Sequence, residues 1–269
     1  MCAYCAVKFL GDFMKVVYSV RSHKGNIREK NEDNFFANGI TLAPEYRNRP
    51  FSIDAISFSP VVLAVCDGMG GEESGEFASL TVVQKISEAE LQAQKELNSA
   101  VRNCIEAANN EINSLGKRSG TTLALAVISE KGTHCFNVGD SRIYLLKKGS
   151  FSRVTNDHTK GAERVKNGAI PSEKERRIEG GNQLTRCIGI GNYRSAENYP
   201  VISGKYRLLI CSDGLTDMVS DAEINRVVSE NTKIADVAET LLRTALNKGG
   251  EDNITIIAAD ISHSRFIKK

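Results

Sequence analysis

The chain has 269 residues, 41% hydrophobic and 25% charged, which suits a soluble globular protein with one large core or two small ones. A net charge of +2 gives no footing for nucleic acid or an acidic membrane surface, and no apolar run is long enough to span a bilayer. Seven scattered cysteines, an odd number, argue against a disulfide framework and for a reduced cytoplasmic setting. Residues 1–14 are weakly apolar, with Lys8 in their midst and no small-residue cleavage site, which argues against a signal peptide. They form an N-terminal extension, and Met14 is an alternative start. Cys2 and Cys5 make a lone CxxC with no second pair, too little for a zinc site.

Lys15–Arg21 alternates and is rich in β-branched residues, which predicts a strand. After the charged stretch Arg28–Asp33, Asn34–Ile40 is strand-like. Residues 41–60, with Pro44, Pro50 and Pro60, are expected to be an excursion between strands. Val61–Cys66 is a continuous apolar run, a buried strand, and it stops at Asp67 before a glycine-rich turn. Helices are predicted over Ser74–Leu91 and Lys95–Leu115; in the second, Leu97, Val101, Ile105, Ala108, Ile112 and Leu115 form one apolar stripe, and Gly116 caps it. Short strands follow at Thr121–Ser129, Thr133–Val138, Arg142–Lys147 and Phe151–Val154, joined by Lys-Gly turns that predict antiparallel hairpins. Residues 155–186 are polar and partly helical, with a charged flap over about 160–180. Tyr206–Cys211 is a second buried strand ending near an acid, helices follow at Asp221–Glu230 and Lys233–Leu246, and Asn253–Ile261 closes the pattern as a strand. With no repeat or linker, residues 15–262 make one catalytic domain and 263–269 a tail. Cys66, Cys135 and Cys211 lie inside strand runs and act as small buried hydrophobes.

The acids share a habit. Glu32 and Asp33 precede a strand, Asp67 and Asp213 follow apolar strands, Asp252 introduces one, and Asp140 sits in a tight break between two. Asp217 lies four residues after Asp213. Each alone is an ordinary loop acid. Gathered at one edge of a sandwich, so many carboxylates would repel unless cations lay between them. All-oxygen ligation without histidine or cysteine suits Mg²⁺ or Mn²⁺ rather than zinc. Arg28, beside such a centre, has the fork to hold a phosphate bidentately. Two metals sharing a water would supply a hydroxide nucleophile at neutral pH. These residues point to a binuclear site acting on a phosphate, and leave monoester and diester open.

Eight short motifs occur in a fixed order: Arg28-x-x-Asn31-Glu32-Asp33, Asp67-Gly68-Met69-Gly70-Gly71, Gly120-Thr121-Thr122, Gly139-Asp140-Ser141-Arg142, Asp157-His158-Thr159, Leu184-Thr185-Arg186, Ser212-Asp213-Gly214 and Asp252-Asn253. Together, from about Val16 to Ile261, they resemble the metal-dependent protein phosphatases of the protein phosphatase 2C type. The resemblance implies an α+β fold, a four-layer α/β/β/α sandwich with two central, mainly antiparallel sheets. It implies that Asp67 bridges two Mn²⁺ or Mg²⁺ ions, that the Gly68 carbonyl, Asp213 and Asp252 complete the protein ligands, and that Glu32 and Asp33 hold metal-bound waters. Asp140, Asp213 and Asp217 would form a weaker third site, and Arg28 would grip phosphoserine or phosphothreonine while the bridging hydroxide attacks in line. Animal members carry histidine where this chain has Met69, which has no proton to donate; the Met-Gly-Gly form matches the bacterial branch. His158 is an alternative donor, though its motif fits the base of the flap better. The flap itself is either a solvated helix or a lid over the substrate protein.

The implied enzyme is a cytoplasmic, monomeric serine/threonine protein phosphatase acting on substrates of a bacterial serine/threonine kinase, with no nucleic-acid or membrane partner. A catalytically silent regulatory member of the same fold, or another binuclear phosphohydrolase such as a phosphodiesterase or nuclease, are the alternatives. Retention of all the metal acids argues against the first, and the balanced charge argues against a nuclease.

Overall fold

The computed structural model describes residues 12–70, 74–114, 116, 118–171, 179–190 and 196–265. In chain order its strands and helices are β1 (Asp12–His23), β2 (Asn34–Ala37), β3 (Ile40–Thr41), β4 (Phe51–Phe58), β5 (Val61–Cys66), β6 (Gly68–Gly70), α1 (Ser74–Glu88), α2 (Leu97–Ser114), β7 (Ser119–Thr121), β8 (Leu123–Ser129), β9 (Gly132–Val138), β10 (Arg142–Lys147) and β11 (Ser150–Arg153). They continue with α3 (Lys160–Lys166), β12 (Glu197–Asn198), β13 (Tyr206–Cys211), α4 (Asp213–Thr216), α5 (Asp221–Glu230), α6 (Ile234–Asn247) and β14 (Ile254–Arg265).

Alternation in β1 sends Met14, Val16, Tyr18 and Val20 to one face, where they are buried, and Val17 to the other. This period-two pattern fixes which face of the sheet meets the core. One sheet has the order β11-β10-β13-β14-β1-β4 and the other β12-β9-β8-β5-β2-β3; the strand pairings within both are antiparallel. Between the sheets lies a core that includes Phe35, Leu63, Val65, Ile210 and Ile257. Each such side chain contributes about 1.5–3 kcal/mol through burial. The outer face of the second sheet packs on α1 and α2 through Val62, Ala64, Val83, Ile105 and Ile112. The outer face of the first packs on α5 and α6 through Leu209, Ile224, Val237 and Leu241. The result is the expected four-layer α/β/β/α sandwich.

Several local expectations need correction. Residues 41–60 are not an excursion throughout: Phe51–Phe58 is an edge strand paired to β1, with Lys15 opposite Phe58. Its flanking prolines are tolerated because an edge strand leaves one side unpaired. The glycine-rich stretch after Asp67 is not a simple turn either, since Gly68–Gly70 pairs antiparallel with Ser119–Thr121. The strand expected over Thr121–Ser129 is therefore two, β7 and β8. The first strand starts at Asp12, inside the stretch assigned to the extension, and β14 runs on to Arg265. Cys66, Cys135 and Cys211 are fully buried, as expected. The Cys2–Cys5 pair and residues 172–178 of the flap lie outside the described residues.

Candidate active site

The acids meet because the strands that carry them end together, at the seam between the two sheets. Asp67 follows β5, and Glu32 and Asp33 precede its neighbour β2; Asp140 falls between β9 and β10. From the other sheet, Asp213 follows β13 and Asp252 precedes β14. A cleft of about 300 Å³ is lined by Arg28, Glu32, Asp67, Gly68, Met69, Asp140, Asp213 and Asp252, joined by Gly70, Thr122, Asn182 and Leu184. Asp33 is fully buried, within electrostatic reach of Asp252 and Asp213. Asp217 is exposed beyond α4, off the cleft wall, and accepts a hydrogen bond from Asn182 Nδ2 at 3.3 Å.

Polar side chains anchor Asp67, Glu32 and Asp33. The Asp67 amide donates to Thr122 Oγ1 at 3.0 Å, and its carbonyl accepts from the Thr122 amide and from Thr121 Oγ1, both at 2.9 Å. Thr122 Oγ1 in turn lies 2.6 Å from Ser141 Oγ, which joins the Asp67 and Asp140 loops. Asn253 Oδ1 accepts the Glu32 amide at 2.7 Å, and its Nδ2 donates to the carbonyls of Lys24 and Lys30, both at 2.9 Å, which ties the residue after Asp252 to the loop that carries Arg28–Asp33. Ser212 donates to Asp33 Oδ2 at 2.7 Å. Gly68 passes so close to the Gly75 and Glu32 carbonyls that a Cβ there would overlap both. A Cβ on Gly75 would meet the Glu32 carboxyl at 2.8 Å. Bare backbone at these two positions lets α1 seat against Glu32.

Electrostatically the cluster is short of positive charge. Burial drives the Asp33 carboxyl from its ordinary value of 3.8 up to about 7, with the carboxylates of Asp252 and Asp213 adding to the rise. Its Oδ1 has no hydrogen-bond partner. Asp67, only partly exposed, is pushed well above the usual carboxylate range by desolvation, then by Asp33, Asp213 and Asp140. Glu32 is raised by burial, against the pull of Arg28. Acids held in this way fit hard divalent cations, whose charge would bring them back to the ionised form. Among the described residues no three acidic, histidine or cysteine groups converge on a single point; the acids line the walls, and Asp252 Oδ2 is engaged by Arg28 Nη2 at 2.8 Å.

Against known proteins, the model for the family described as Protein phosphatase 2C matches residues 47–254. The chain belongs to that family. A serine/threonine phosphatase stp of Listeria innocua is 31% identical over 252 residues, covering 89% of this chain and 94% of the relative. The crystal structure of the Mycobacterium tuberculosis serine/threonine phosphatase PstP/Ppp superposes with a TM-score of 0.78 at 28% identity, over 92% of this chain and all of that one. A PstP catalytic domain in complex with two manganese ions gives 0.77 at 27% identity, over 93% of this chain and 99% of that one. As a protein phosphatase 2C of the bacterial type, the chain is a serine/threonine protein phosphatase.

Within this phosphatase, the Asp157-His158-Thr159 motif sits at the root of the flap. Thr159 caps α3, its side chain accepting from the Ala162 amide at 3.1 Å. Asp157 is held by Arg142, with Nη2 to Oδ2 at 2.6 Å. His158 Nδ1 accepts the Gly139 amide at 3.0 Å, which places its proton on Nε2, 3.2 Å from Glu197 Oε1. His158 thus braces the Asp140 loop through Gly139 and is absent from the cleft lining. Sequence reasoning assigned no role to Asn182 or Leu184, which line the cleft, or to the polar braces. The only signal for Asn253 and Ser212 was their place inside the acidic motifs, and for Thr122 its place in the Gly120-Thr121-Thr122 motif.

Proposed function

We propose that the chain hydrolyses phosphoserine and phosphothreonine monoesters on proteins, with the acidic cleft holding two Mn²⁺ or Mg²⁺ ions. The observation that carries this is the convergence of Asp67, Asp213, Asp252, Asp140 and Glu32 on one cleft, with a guanidinium at its lip. Asp67, the Gly68 carbonyl, Asp213 and Asp252 are assigned as protein ligands, with Glu32 and Asp33 one layer behind. Asp140 and Asp213 form a weaker third site, with the exposed Asp217 on its outer side. Bound divalent ions supply Lewis-acid neutralisation of the phosphate and acidify water to a nucleophile.

Arg28 binds the phosphate. Its side chain is 54% exposed and, among the described residues, pairs with the partly exposed Asp252, so swinging to an incoming dianion exchanges that ion pair for a bidentate one. Met69 lines the cleft without a transferable proton, and His158 is absent from its lining, so the leaving alkoxide takes its proton from solvent in the cleft. The braces at Thr122, Asn253 and Ser212 keep the acids in place without side-chain rearrangement, which is the preorganisation that charge stabilisation requires. The substrates are phosphoproteins made by a bacterial serine/threonine kinase, met by a cytoplasmic monomer. No helix among the described residues is long and apolar enough to cross a membrane.

Release of phosphate from a phosphothreonine peptide tests the reading. Turnover should require Mn²⁺ or Mg²⁺, stop on chelation and vanish in Asp213→Ala. Full activity in Asp213→Ala would overturn the assignment.

A further inference from the structure

Arg47 follows the 3₁₀ turn Pro44–Tyr46, in the stretch that sequence reasoning treated as an excursion, and it is 4% exposed. Its Nη1 donates to the Asn31 carbonyl at 3.0 Å and its Nη2 to the Glu76 carbonyl at 3.2 Å. Its Nε has no hydrogen-bond partner and stands 3.8 Å from Glu76 Oε1. Asn31 immediately precedes Glu32 and Asp33, and Glu76 lies in the first turn of α1, beside Gly75, which packs on the Glu32 carboxyl. The guanidinium therefore spans two elements next to the acidic cleft, the turn that carries Glu32 and Asp33 and the first turn of α1. It is absent from the cleft lining and is no part of the proposed metal or phosphate set.

A buried guanidinium with two carbonyl partners and one long ion pair is poorly compensated locally, and an isolated buried charge is costly. Burial holds the guanidinium below its ordinary value, and the surrounding acids, Glu76 first and then Asp33 and Glu32, offset that burial only in part. Glu32 and Asp33 follow directly on the Asn31 carbonyl that Arg47 holds, and buried acids need a nearby cation when no metal is bound.

We infer that Arg47 is a fixed countercharge of the acidic cleft, offsetting Glu32 and Asp33 from behind and so holding their turn folded before any divalent ion arrives. It is a positioning residue, not a catalytic one. The inference rests on the metal-site reading above. A resident positive charge and an incoming cation stabilise the same acids, so they compete: without Arg47 the metal-free protein loses more than the loaded one.

The test is thermal unfolding of the full chain in chelator and in saturating Mn²⁺, with Mn²⁺ affinity by titration calorimetry. Arg47→Met should lower the metal-free midpoint, and the Mn²⁺-induced rise should be about twofold larger than in the wild type. Arg47→Lys, which keeps charge but loses the fork, should keep the wild-type rise. Equal losses with and without Mn²⁺ in Arg47→Met, or an Arg47→Lys that behaves like Arg47→Met, would overturn the inference in favour of a simple hydrogen-bonded staple. Should Arg47→Met fail to fold even in Mn²⁺, Glu76→Gln makes the reverse test: with one competing acid gone, Arg47 serves Glu32 and Asp33 better and the Mn²⁺ rise shrinks, while an undiminished rise contradicts the idea. If the wild type itself shows no rise, the metal-site reading falls and this inference with it; a wild-type rise left unchanged in Arg47→Met refutes the inference alone.

Discussion

Replacing Asp33 by Asn should stabilise the metal-free protein at alkaline pH. Asp33 is fully buried, and its carboxyl is raised from 3.8 to about 7 by desolvation and by Asp252 and Asp213. A group whose folded value lies above its unfolded one binds more protons when folded, so its contribution worsens as pH climbs from about 4 to 7 and stays at its worst above that. Three units at about 1.4 kcal/mol each put the cost of the ionised carboxylate near 4 kcal/mol at pH 8. Asparagine removes that cost and still offers an acceptor to Ser212 Oγ, now 2.7 Å from Oδ2. Its amide would replace the unpartnered Oδ1 and stay unsatisfied, costing about 1–3 kcal/mol. The net gain is about 1–3 kcal/mol, or roughly 3–10 °C in midpoint for a domain of this size. Differential scanning calorimetry in chelator at pH 8 and at pH 5.5 checks it, with the advantage shrinking at the lower pH. In saturating Mn²⁺ the order should reverse, because the wild-type carboxylate is then offset. A lower metal-free midpoint for Asp33→Asn at pH 8 would refute the reasoning.

Two further outcomes follow from the same geometry. Arg28→Ala should lower kcat/KM on a phosphothreonine peptide about 10–100-fold, the loss of a charge-assisted contact to phosphate, and unchanged steady-state constants would remove Arg28 from the site. His158 is held below the ordinary histidine value of 6.5 by burial and then by Arg186, against Glu197, so the fold takes up its proton less readily than the unfolded chain does as the pH falls. Stability should therefore fall with acidification, and His158→Gln should flatten the midpoint's decline between pH 7 and pH 5.5; parallel declines would show that His158 carries no such linkage.

The sequence made the buried layers legible where one pattern dominated. Val61–Cys66, Tyr206–Cys211 and Asp221–Glu230 have the expected bounds, since the two apolar strand runs give way to polar residues and the helix opens on a capping box of Ser220 and Glu223. Phe51–Phe58 was hidden by its prolines and by the half-burial of an edge strand, which leaves no continuous apolar run. Gly68–Gly70 was hidden because glycine carries a turn signal even where its backbone pairs in a ladder. The acids could be found because strand ends are visible in sequence. The partners that anchor them could not: Thr122 lies 55 positions from Asp67, and Asn253 lies 221 from Glu32. Arg47 is the clearest case, one of two arginines in a polar loop and told apart from Arg49 only by its burial.

The central claim, that this cleft is a two-ion site organised on Asp67, is tested most directly by calorimetric titration of the metal-free chain with Mn²⁺. The account predicts two strong sites per wild-type chain and loss of strong binding in Asp67→Asn. Wild-type stoichiometry and affinity retained in Asp67→Asn would contradict it.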